Sequence, residues 1–452
     1  MEPLKGNNPD TPRSERVLTK QQRIAELARE HPRMAFTSLN HYLDEEWLAE
    51  AVDRVRTDSA PGVDGQTWAD YQQGLGARLH DLLYRAKSGR YVAPPVKRVY
   101  IPKGDGKETR PIGMPTIEDK VLQRAVKMVL EPIYEQDFEF FSFGFRPKRS
   151  AHQALDLIWR QAMTQNIGWI LDVDIRKFFD TLVHKHLREI LQRRVKDGVI
   201  LRLIGKWLNA GIMEEDQLTY PTEGTPQGGV ISPLLSNIYL HEVLDRWWVE
   251  MVQPVLRGKS FLVRYADDFV MGFELKSDAE RVYRVIFKRF EKFGLRLHPE
   301  KTRLVPFERP NGNSGAGASS PQSFDFLGFT HYWGKTRKGG WAVKRQTSRK
   351  RFNRAVKAIW QWCRDNRHEG LRTQVEKLGL KLKGHYGYYG ITGNSMALQR
   401  FRWRVIRMWR YWLNRRSREH GAMPWERMNR LLQVWYIPPA RAVHSTLVKP
   451  CF

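Results

Sequence analysis

Three stretches of the chain alternate apolar and polar residues with a period of two, which is typical of half-buried strands. They are YVAPPVKRVYIPK at 91–103, WILDVDI at 169–175 and FLVRYADDFVMGF at 261–273. Other stretches repeat apolar residues every three or four positions, which predicts helices over 117–134, 151–163 and 277–294. In the last of these, Ser277 or Asp278 is expected to cap the start and Gly294 to end the helix. Strands and helices are therefore mixed, and the pattern predicts an α+β fold.

The pattern changes after about residue 345, where strand signals stop and helical periodicity takes over. The clearest case is MALQRFRWRVIRMWRYWLNRRS at 396–417. Its apolar stripe, which we expect to be buried, comprises Leu398, Phe401, Val405, Met408 and Trp412. The arginines that lie off this stripe are Arg402, Arg404, Arg407 and Arg410. The sequence thus predicts an all-α C-terminal region with basic faces.

The basic charge is concentrated in this same region. The 452 residues include 76 Lys or Arg and 49 Asp or Glu, which gives a formal net charge of +27. Residues 334–452 alone hold 28 of the Lys or Arg and only 5 of the Asp or Glu. Because a solvated face is usually mixed in sign, this excess favours a polyanionic partner.

Cysteine usage and hydropathy exclude several classes of protein. Cys363 and Cys451 are the only cysteines and form no CxxC pair, so we expect neither a disulfide framework nor a cysteine-ligated zinc module. No run approaches the roughly 18 apolar residues of a membrane span, and the start of the chain lacks a signal peptide's apolar centre. We therefore expect a cytoplasmic protein with no membrane partner.

Two pairs of aspartates interrupt the predicted strands. Asp172 and Asp174 share one face of an apolar strand, whereas Asp267 and Asp268 lie at the tip of a hairpin. Taken alone, the hairpin pair is ordinary turn chemistry, and Asp172 also fits a solvated strand end. If Asp174 meets the hairpin, however, three carboxylates converge, and divalent cations would offset their repulsion. Two Mg²⁺ ions roughly 3.5–4 Å apart can clamp both oxygens of an in-line phosphoryl displacement.

Nine motifs in order resemble the reverse transcriptases encoded by group II introns. They are PGVDG (61–65), IPK (101–103), RPIGMP (110–115), SFGFRP (142–147), DIRKFFDT (174–181), TPQGGVISPLLSNIYL (225–240), YADD (265–268), LHPEKT (297–302) and FLGF (326–329). The resemblance covers roughly residues 40–445. It implies an RNA-directed DNA polymerase shaped like a right hand, with fingers, palm and thumb, followed by an all-α maturase-type region.

The resemblance implies a catalytic set of three aspartates. Asp174 and Asp267 would ligate two Mg²⁺ ions, and Asp268 would lie beside them and contribute less directly. Ile175 is included in the same metal-ligand set. Phe179, five residues after Asp174, would lie under the incoming sugar and exclude a ribose 2′-hydroxyl.

The resemblance also implies contacts with the nucleotide and the primer. Lys103 and Arg110 would grip the triphosphate, as suits a flexible point charge and a planar fork. Gln227 would touch the sugar and base, and Lys301 completes the nucleotide-binding set. The primer grip would consist of Phe326, Leu327, Gly328 and Phe329, although Phe326 and Phe329 fit a simple core role equally well.

The C-terminal region is similar to the thumb and maturase region of group II intron proteins, most recognisably in LKGHYGYYGITGN (382–394) and PPARAVHS (438–445). Helices with flanking arginines can present charge to an RNA duplex or stack on unpaired bases. The residues expected to bind RNA are Arg349, Lys350, Arg351, Arg402, Arg404, Arg407, Arg410, Arg415 and Arg416.

The expected organisation has four parts: a flexible lead (1–30), fingers and palm (31–335), thumb and start of the maturase region (336–395), and maturase RNA-binding helices (396–452). The implied partners are group II intron RNA or another RNA template, a DNA primer or target, and dNTPs, and a homodimer is left open. The protein would assist splicing of its intron and copy it during mobility. Because no zinc endonuclease motif follows, we expect no second-strand cleavage. Two alternatives remain: a splicing factor that makes no use of polymerisation, and a domesticated enzyme of DNA repair or defence.

Overall fold

The computed structural model describes residues 12–103, 108–214, 217–220, 223–224, 228–310, 322–336, 338–416 and 423–444, with the side chains of Lys103 and Glu108 left out. Its helices in chain order are α1 (Arg13–Glu30), α2 (Glu45–Asp53), α3 (Trp68–Gln72), α4 (Leu75–Ser88), α5 (Ile117–Asp137), α6 (Ala151–Thr164), α7 (Phe178–Thr181), α8 (His184–Gln192), α9 (Gly198–Leu208), α10 (Ser232–Leu240), α11 (Lys276–Glu291), α12 (Arg349–Asp365), α13 (Leu371–Tyr389), α14 (Ser395–Leu413) and α15 (Trp425–Val434). Its strands are β1 (Val96–Lys103), β2 (Glu108–Met114), β3 (Trp169–Val173), β4 (Ile212–Glu214), β5 (Gln217–Thr219), β6 (Ser260–Tyr265), β7 (Asp268–Phe273), β8 (Arg303–Pro306), β9 (Phe324–Phe326), β10 (Phe329–Lys335) and β11 (Trp341–Thr347).

The strands form three separate sheets, with orders β2-β1-β4-β5, β6-β7-β3-β8 and β11-β10-β9. The β6-β7-β3-β8 sheet is antiparallel throughout. Strand β3 lies inside it and pairs with β7 on one side and β8 on the other. A large apolar core surrounds α5 and the helices that cover this sheet. It includes Val17, Ile24 and Ala28 of α1, so the expectation of a flexible lead is wrong for residues 13–30. A second core lies between α6 and the β11-β10-β9 sheet, and a third fills the C-terminal helices. The prediction of a mixed α+β fold is confirmed.

Local signals explain where several helices begin. Thr116 caps α5 by accepting a hydrogen bond from the Asp119 amide, and Ser150 caps α6 through a reciprocal pair with Gln153. The helices predicted over 117–134 and 151–163 are confirmed with slightly later ends. The predicted cap of α11 is wrong: Leu275 precedes the helix with no side-chain cap. Asp278 Oδ2 instead accepts from the Arg257 and Gly258 amides at 2.9 and 2.8 Å.

The C-terminal helices pack as the stripe predicts. Strand structure ends with β11 at Thr347, and the helices α12 to α15 follow. Four members of the stripe are at most 7% exposed, namely Leu398, Phe401, Val405 and Met408, whereas Trp412 is half-buried. Among the described residues, no helix combines the length and the apolar composition needed to cross a bilayer.

Candidate active site

The pairing of β3 with β7 brings the separate aspartates to one end of a sheet. Tyr265 pairs with Asp268 to close the β6–β7 hairpin, so Ala266 and Asp267 form its turn. Val173 pairs with Phe269 across β3 and β7, and Asp174 follows Val173 directly. The end of β3 therefore lies beside the turn that carries Asp267, although 93 residues of chain separate the two carboxylates.

The carboxylates at this end of the sheet act on one another electrostatically. Burial raises the pKa of Asp267, the nearby charge of Asp174 adds to this, and the Arg110 guanidinium opposes it. For Asp268, desolvation in the cleft and the negative charges of Asp172, Asp267 and Asp174 raise the pKa to about 7. Such repulsion is what a bound cation would relieve.

Two cations already contact the carboxylates of β3 and its extension. Lys301 Nζ lies 3.0 Å from Asp174 Oδ2, and Arg303 Nη2 lies 3.2 Å from Asp172 Oδ2. Across the described ranges, no three His, Cys, Asp or Glu side chains are grouped closely enough to hold a metal ion. The donor atoms nevertheless suit Mg²⁺, because this ion prefers oxygen ligands and the acidic side chains at this end of the sheet are all carboxylates. Ile175 is buried and bridges Leu297 in antiparallel fashion.

A buried ion pair between Arg264 and Asp245 supports the hairpin turn of Ala266 and Asp267. Arg264 is fully buried and donates through Nε to Asp245 Oδ1 at 2.8 Å. Its Nη1 donates to Asn237 Oδ1 at 2.9 Å and to the Ala266 carbonyl at 3.1 Å. Ala266 has a left-handed φ of +58°, a conformation that costs a residue with a Cβ on the order of 1 kcal/mol or more. The Arg264 hydrogen bond therefore fixes a strained residue next to Asp267. Sequence reasoning missed this pair, although an arginine on the apolar side of YADD was a visible signal.

The SFGFRP segment packs against the same turn. Phe143 donates its amide to the Arg264 carbonyl at 2.9 Å, and Arg264 donates its amide to the Phe141 carbonyl at 3.0 Å. Gly144 lies so close that a Cβ on it would be 2.2 Å from the Ala266 nitrogen. Only glycine permits this approach. The motif thus positions the aspartate turn, which its sequence alone did not indicate.

The residues predicted to contact the nucleotide are not all equally well placed at this end of the sheet. Arg110 on β2 pairs with Ile101 on β1, and its charge partly opposes the rise in the pKa of Asp267 that burial causes. Phe179 on α7 is half-buried, and its ring meets the buried Phe178 ring edge-on at 5.4 Å. Gln227 and the Lys103 side chain lie outside the described residues.

The predicted primer grip is a tight hairpin turn between β9 and β10. Leu327 and Gly328 have φ values of +48° and +81°, and Phe326 pairs with Phe329 on either side. Positive φ at both central residues matches the hairpin turn that favours glycine. Both phenylalanines are at most 1% exposed, so they are core residues, the alternative left open by the sequence.

Side chains from the C-terminal helices hold this turn. Tyr388 Oη donates to the Leu327 carbonyl at 2.8 Å, and the Ser348 amide donates to the Gly328 carbonyl at 3.0 Å. A Cβ on Gly328 would be 3.4 Å from Arg351 Cγ. Arg351 in turn acts electrostatically on Asp268. Arg349, Lys350 and Arg351 are exposed at the start of α12, and among them it is Arg351 whose charge acts on Asp268.

The remaining predicted RNA-binding arginines divide into two groups. Arg402 donates to the Pro438 and Ile437 carbonyls, Arg410 to the Met423 carbonyl, and Arg416 to the Glu369 carbonyl. These three hold neighbouring segments of the C-terminal region. The guanidinium groups of Arg404 and Arg407 instead lie over the Trp403 ring, and that of Arg415 lies over the Tyr411 ring. These three are exposed.

Comparison with known proteins identifies the family. Residues 101–331 match the model of the reverse transcriptase (RNA-dependent DNA polymerase) family. The chain is 36% identical over 333 residues to Protein YkfC of Escherichia coli K12, across 65% of this chain and 85% of that protein. It is 37% identical over 234 residues to the group II intron-encoded protein LtrA of Lactococcus lactis subsp. cremoris, across 51% of this chain and 38% of LtrA.

A plant intron maturase is also similar to this chain. The nuclear intron maturase 4, mitochondrial, of Arabidopsis thaliana is 28% identical over 166 residues, across 36% of this chain and 20% of that protein. The match to LtrA or to the plant maturase thus spans less than half of either relative. The names of these relatives agree with the resemblance that the nine motifs carry, and the predicted enzyme class is confirmed. The chain belongs to the reverse transcriptase family, the RNA-dependent DNA polymerases, and its relatives include proteins encoded by group II introns.

Proposed function

We propose that this chain copies RNA into DNA at the sheet end formed by Asp174, Asp267 and Asp268. The observation that best supports this location is the direct pairing of β3 with β7, which brings the end of β3, where Asp174 follows, beside the hairpin turn that carries Asp267. In this proposal residues 31–335 form the fingers and palm of a right hand, residues 336–395 the thumb and the start of the maturase region, and residues 396–452 the maturase helices. The first 30 residues precede the hand.

Reverse transcriptases depend in general on a divalent metal ion, typically Mg²⁺. Here Asp174, Ile175, Asp267 and Asp268 would hold two such ions, which when bound would neutralise the phosphate charge and activate the primer hydroxyl. The carboxylate oxygens and their mutual repulsion suit this role. Arg264 and Gly144 contribute by fixing the turn that carries Asp267.

The protein's own cations would bind the incoming dNTP. Arg110 lies on the β1–β2 hairpin near Asp267, and Lys301 is held at Asp174, so both can face a triphosphate at this site. Lys103 and Gln227 would complete these contacts, as the family motifs imply. Phe179 is half-buried, and its ring would lie under the sugar and exclude a 2′-hydroxyl, as the family motif implies.

The primer would pass the turn of Leu327 and Gly328 and the start of α12. Three exposed cations at a helix N-terminus oppose the helix dipole and repel each other, so a bound phosphate backbone would stabilise them. Since Tyr388 and Ser348 fix the turn, its backbone offers a rigid surface to the primer strand.

The C-terminal helices would bind RNA and, in an intron setting, assist its splicing. The charge excess over 334–452 and the exposed Arg404, Arg407 and Arg415 support this role. The relatives named for group II introns and for an intron maturase point to intron RNA as the ligand. A DNA primer or target would be the second nucleic acid, and a homodimer remains open.

Primer extension on an RNA template, with dNTPs and Mg²⁺, tests the proposed function. We expect extension by the wild-type protein and none by Asp267→Asn. RNA binding without extension, under conditions in which the protein is folded, would overturn the polymerase proposal and favour a splicing factor. Intron RNA elements in the DNA that flanks the reading frame would favour a mobile intron, and their absence would favour a domesticated enzyme.

A further inference from the structure

One exposed face of α14 carries aromatic and guanidinium groups in alternation. Trp403, Arg407 and Tyr411 follow one another at four-residue spacing, which places them on the same side of α14, and Arg415, two residues past the helix end at Leu413, continues the spacing. The Arg407 guanidinium carbon lies 4.4 Å from the Trp403 ring centroid, and that of Arg415 lies 3.5 Å from the Tyr411 centroid. We call these four residues the α14 ladder.

The ladder is open to solvent. Trp403 is 51% exposed and Tyr411 is 37% exposed, although apolar rings of this size are usually covered in a folded domain. The stripe on the opposite side of α14 fills the C-terminal core, so the ladder is not needed to bury that core. In the described part of the chain, Arg404, Arg407 and Arg415 pair with no carboxylate. Both the rings and the charges are thus available to a ligand.

A groove of about 480 Å³ adjoins the ladder between α12 and α14, which is within the range of about 300–1,000 Å³ typical of ligand pockets. It is lined by Asn353, Val356, Lys357, Trp360, Arg404, Arg407, Met408 and Tyr411. None of these residues is acidic. The Trp360 and Tyr411 rings lie 4.7 Å apart in its wall. The groove therefore offers aromatic surface with a positively charged rim.

We infer that the α14 ladder and this groove bind single-stranded RNA, with unpaired bases against Trp403 and Tyr411 and phosphates against Lys357, Arg404 and Arg407. This inference rests on the proposed RNA-binding function and names the form of RNA. A duplex keeps its bases stacked inside, beyond the reach of side chains on a convex helix surface. The two rings proposed to contact bases, Trp403 and Tyr411, are about 12 Å apart along the helix axis, wider than the roughly 3.4 Å between stacked bases. The spacing therefore suits splayed bases.

Two sets of variants test the inference in the full chain, with a short unstructured RNA and the same RNA annealed to its complement as probes. Replacing both rings (Trp403→Leu with Tyr411→Leu) should weaken binding of the single strand by roughly fivefold or more per ring, with little change for the duplex. Replacing Arg404 and Arg407 by Gln should lower the salt slope of single-strand binding by roughly 0.7 per phosphate contact. Tyr436→Leu, and Arg427→Gln with Arg430→Gln, are controls that remove an exposed ring or two exposed arginines elsewhere in the same region.

Equal losses of affinity for the single strand and for the duplex would overturn the inference, since the ladder would then bind duplex RNA as well. An unchanged affinity in both ladder variants, with native circular dichroism, would overturn it as well. Primer extension by the wild-type protein is measured separately. Failure of extension would count against the proposed polymerase, whereas the single-strand preference depends on the ladder alone.

Discussion

Lys301 Nζ lies 3.0 Å from Asp174 Oδ2, an ion pair between the LHPEKT turn and the end of β3. The backbone brings the two segments together, because the His298 amide donates to the Asp174 carbonyl at 2.8 Å. Lys301 remains 60% exposed in its side chain, so the ammonium can also reach a ligand in the cleft. An ammonium group held at a proposed metal ligand can stabilise the negative charge that develops as the triphosphate is cleaved.

Lys301→Met should lower kcat for single-nucleotide addition by on the order of 10²-fold, since it removes a positioned charge from the reacting phosphates. Lys301→Arg should retain more activity because the charge persists. Lys276→Met, an exposed lysine paired with Glu280 on α11, is the matched control. A kcat for Lys301→Met equal to that of the control would show that the lysine is only a surface partner of Asp174.

Asp267→Asn and Asp174→Asn should each abolish primer extension while the affinity for RNA stays nearly unchanged. Each change removes a charged ligand but leaves the basic C-terminal surface intact. Extension and RNA binding are measured on the same preparations. Asp172→Asn, whose carboxylate pairs with Arg303, serves as the neighbouring control and should keep measurable extension. If Asp267→Asn and Asp174→Asn both still extend a primer, these two aspartates are not the metal ligands.

Phe179→Val should raise incorporation of ribonucleotides relative to deoxynucleotides by roughly 10- to 200-fold, because exclusion of the 2′-hydroxyl is steric in the proposed site. Competition between a dNTP and its rNTP measures this ratio. Phe178→Leu removes the neighbouring buried ring. It should reduce stability without changing sugar selection. If discrimination is the same in Phe179→Val and the wild type, then Phe179 is a core residue and the exclusion arises elsewhere.

Local patterns predicted the secondary structure around the site well, and they failed where distant segments meet. The alternation in 169–175 and 261–273 predicted three of the four strands of the sheet that carries the aspartates, namely β3, β6 and β7, and the stripe on α14 predicted the buried face of that helix. The contact of Lys301 with Asp174 and that of Gly144 with Ala266 depend on tertiary packing, which periodicity does not encode.

The basic residues of α14 show the same limit. From their positions off the apolar stripe, Arg402, Arg404, Arg407 and Arg410 are all expected to bind RNA. Arg402 and Arg410 instead donate to backbone carbonyls of the segments that follow α14. Their replacement would remove these hydrogen bonds as well as the charge, so Arg404 and Arg407 are the better pair for a test of charge alone.

Arg264→Met should destabilise the fold by about 3–5 kcal/mol, because it leaves the Asp245 carboxylate buried without its main partner. Both side chains are fully buried. Urea denaturation measures the free energy of unfolding, with Arg372→Gln as a control on the exposed pair Arg372–Glu376, for which about 0.5 kcal/mol or less is expected. A loss no larger than that of the control would mean that the buried pair is compensated by its surroundings.

Asp119 provides a pH test of the core near the proposed fingers. It lies in α5, 2% exposed, and accepts a hydrogen bond from Tyr91 Oη. Burial raises the pKa of this carboxyl to about 8, against roughly 4 in an unfolded chain. The folded state therefore keeps the proton over a range in which the unfolded state has lost it. The stability associated with this group is present in full below about pH 4 and is lost as pH rises toward 8.

Asp119→Asn replaces the protonated carboxyl by a neutral group of the same shape. The variant should be more stable than the wild type at pH 8, by on the order of a few kcal/mol, and the difference should shrink toward pH 5. Urea denaturation at several pH values between 5 and 8 measures both curves. Asp81→Asn, on the exposed face of α4 beside Arg85, is the control and should leave the pH dependence of the wild type unchanged. Parallel curves for the wild type and Asp119→Asn would show that Asp119 is ionised in the folded protein, with its charge balanced by the hydrogen bond from Tyr91.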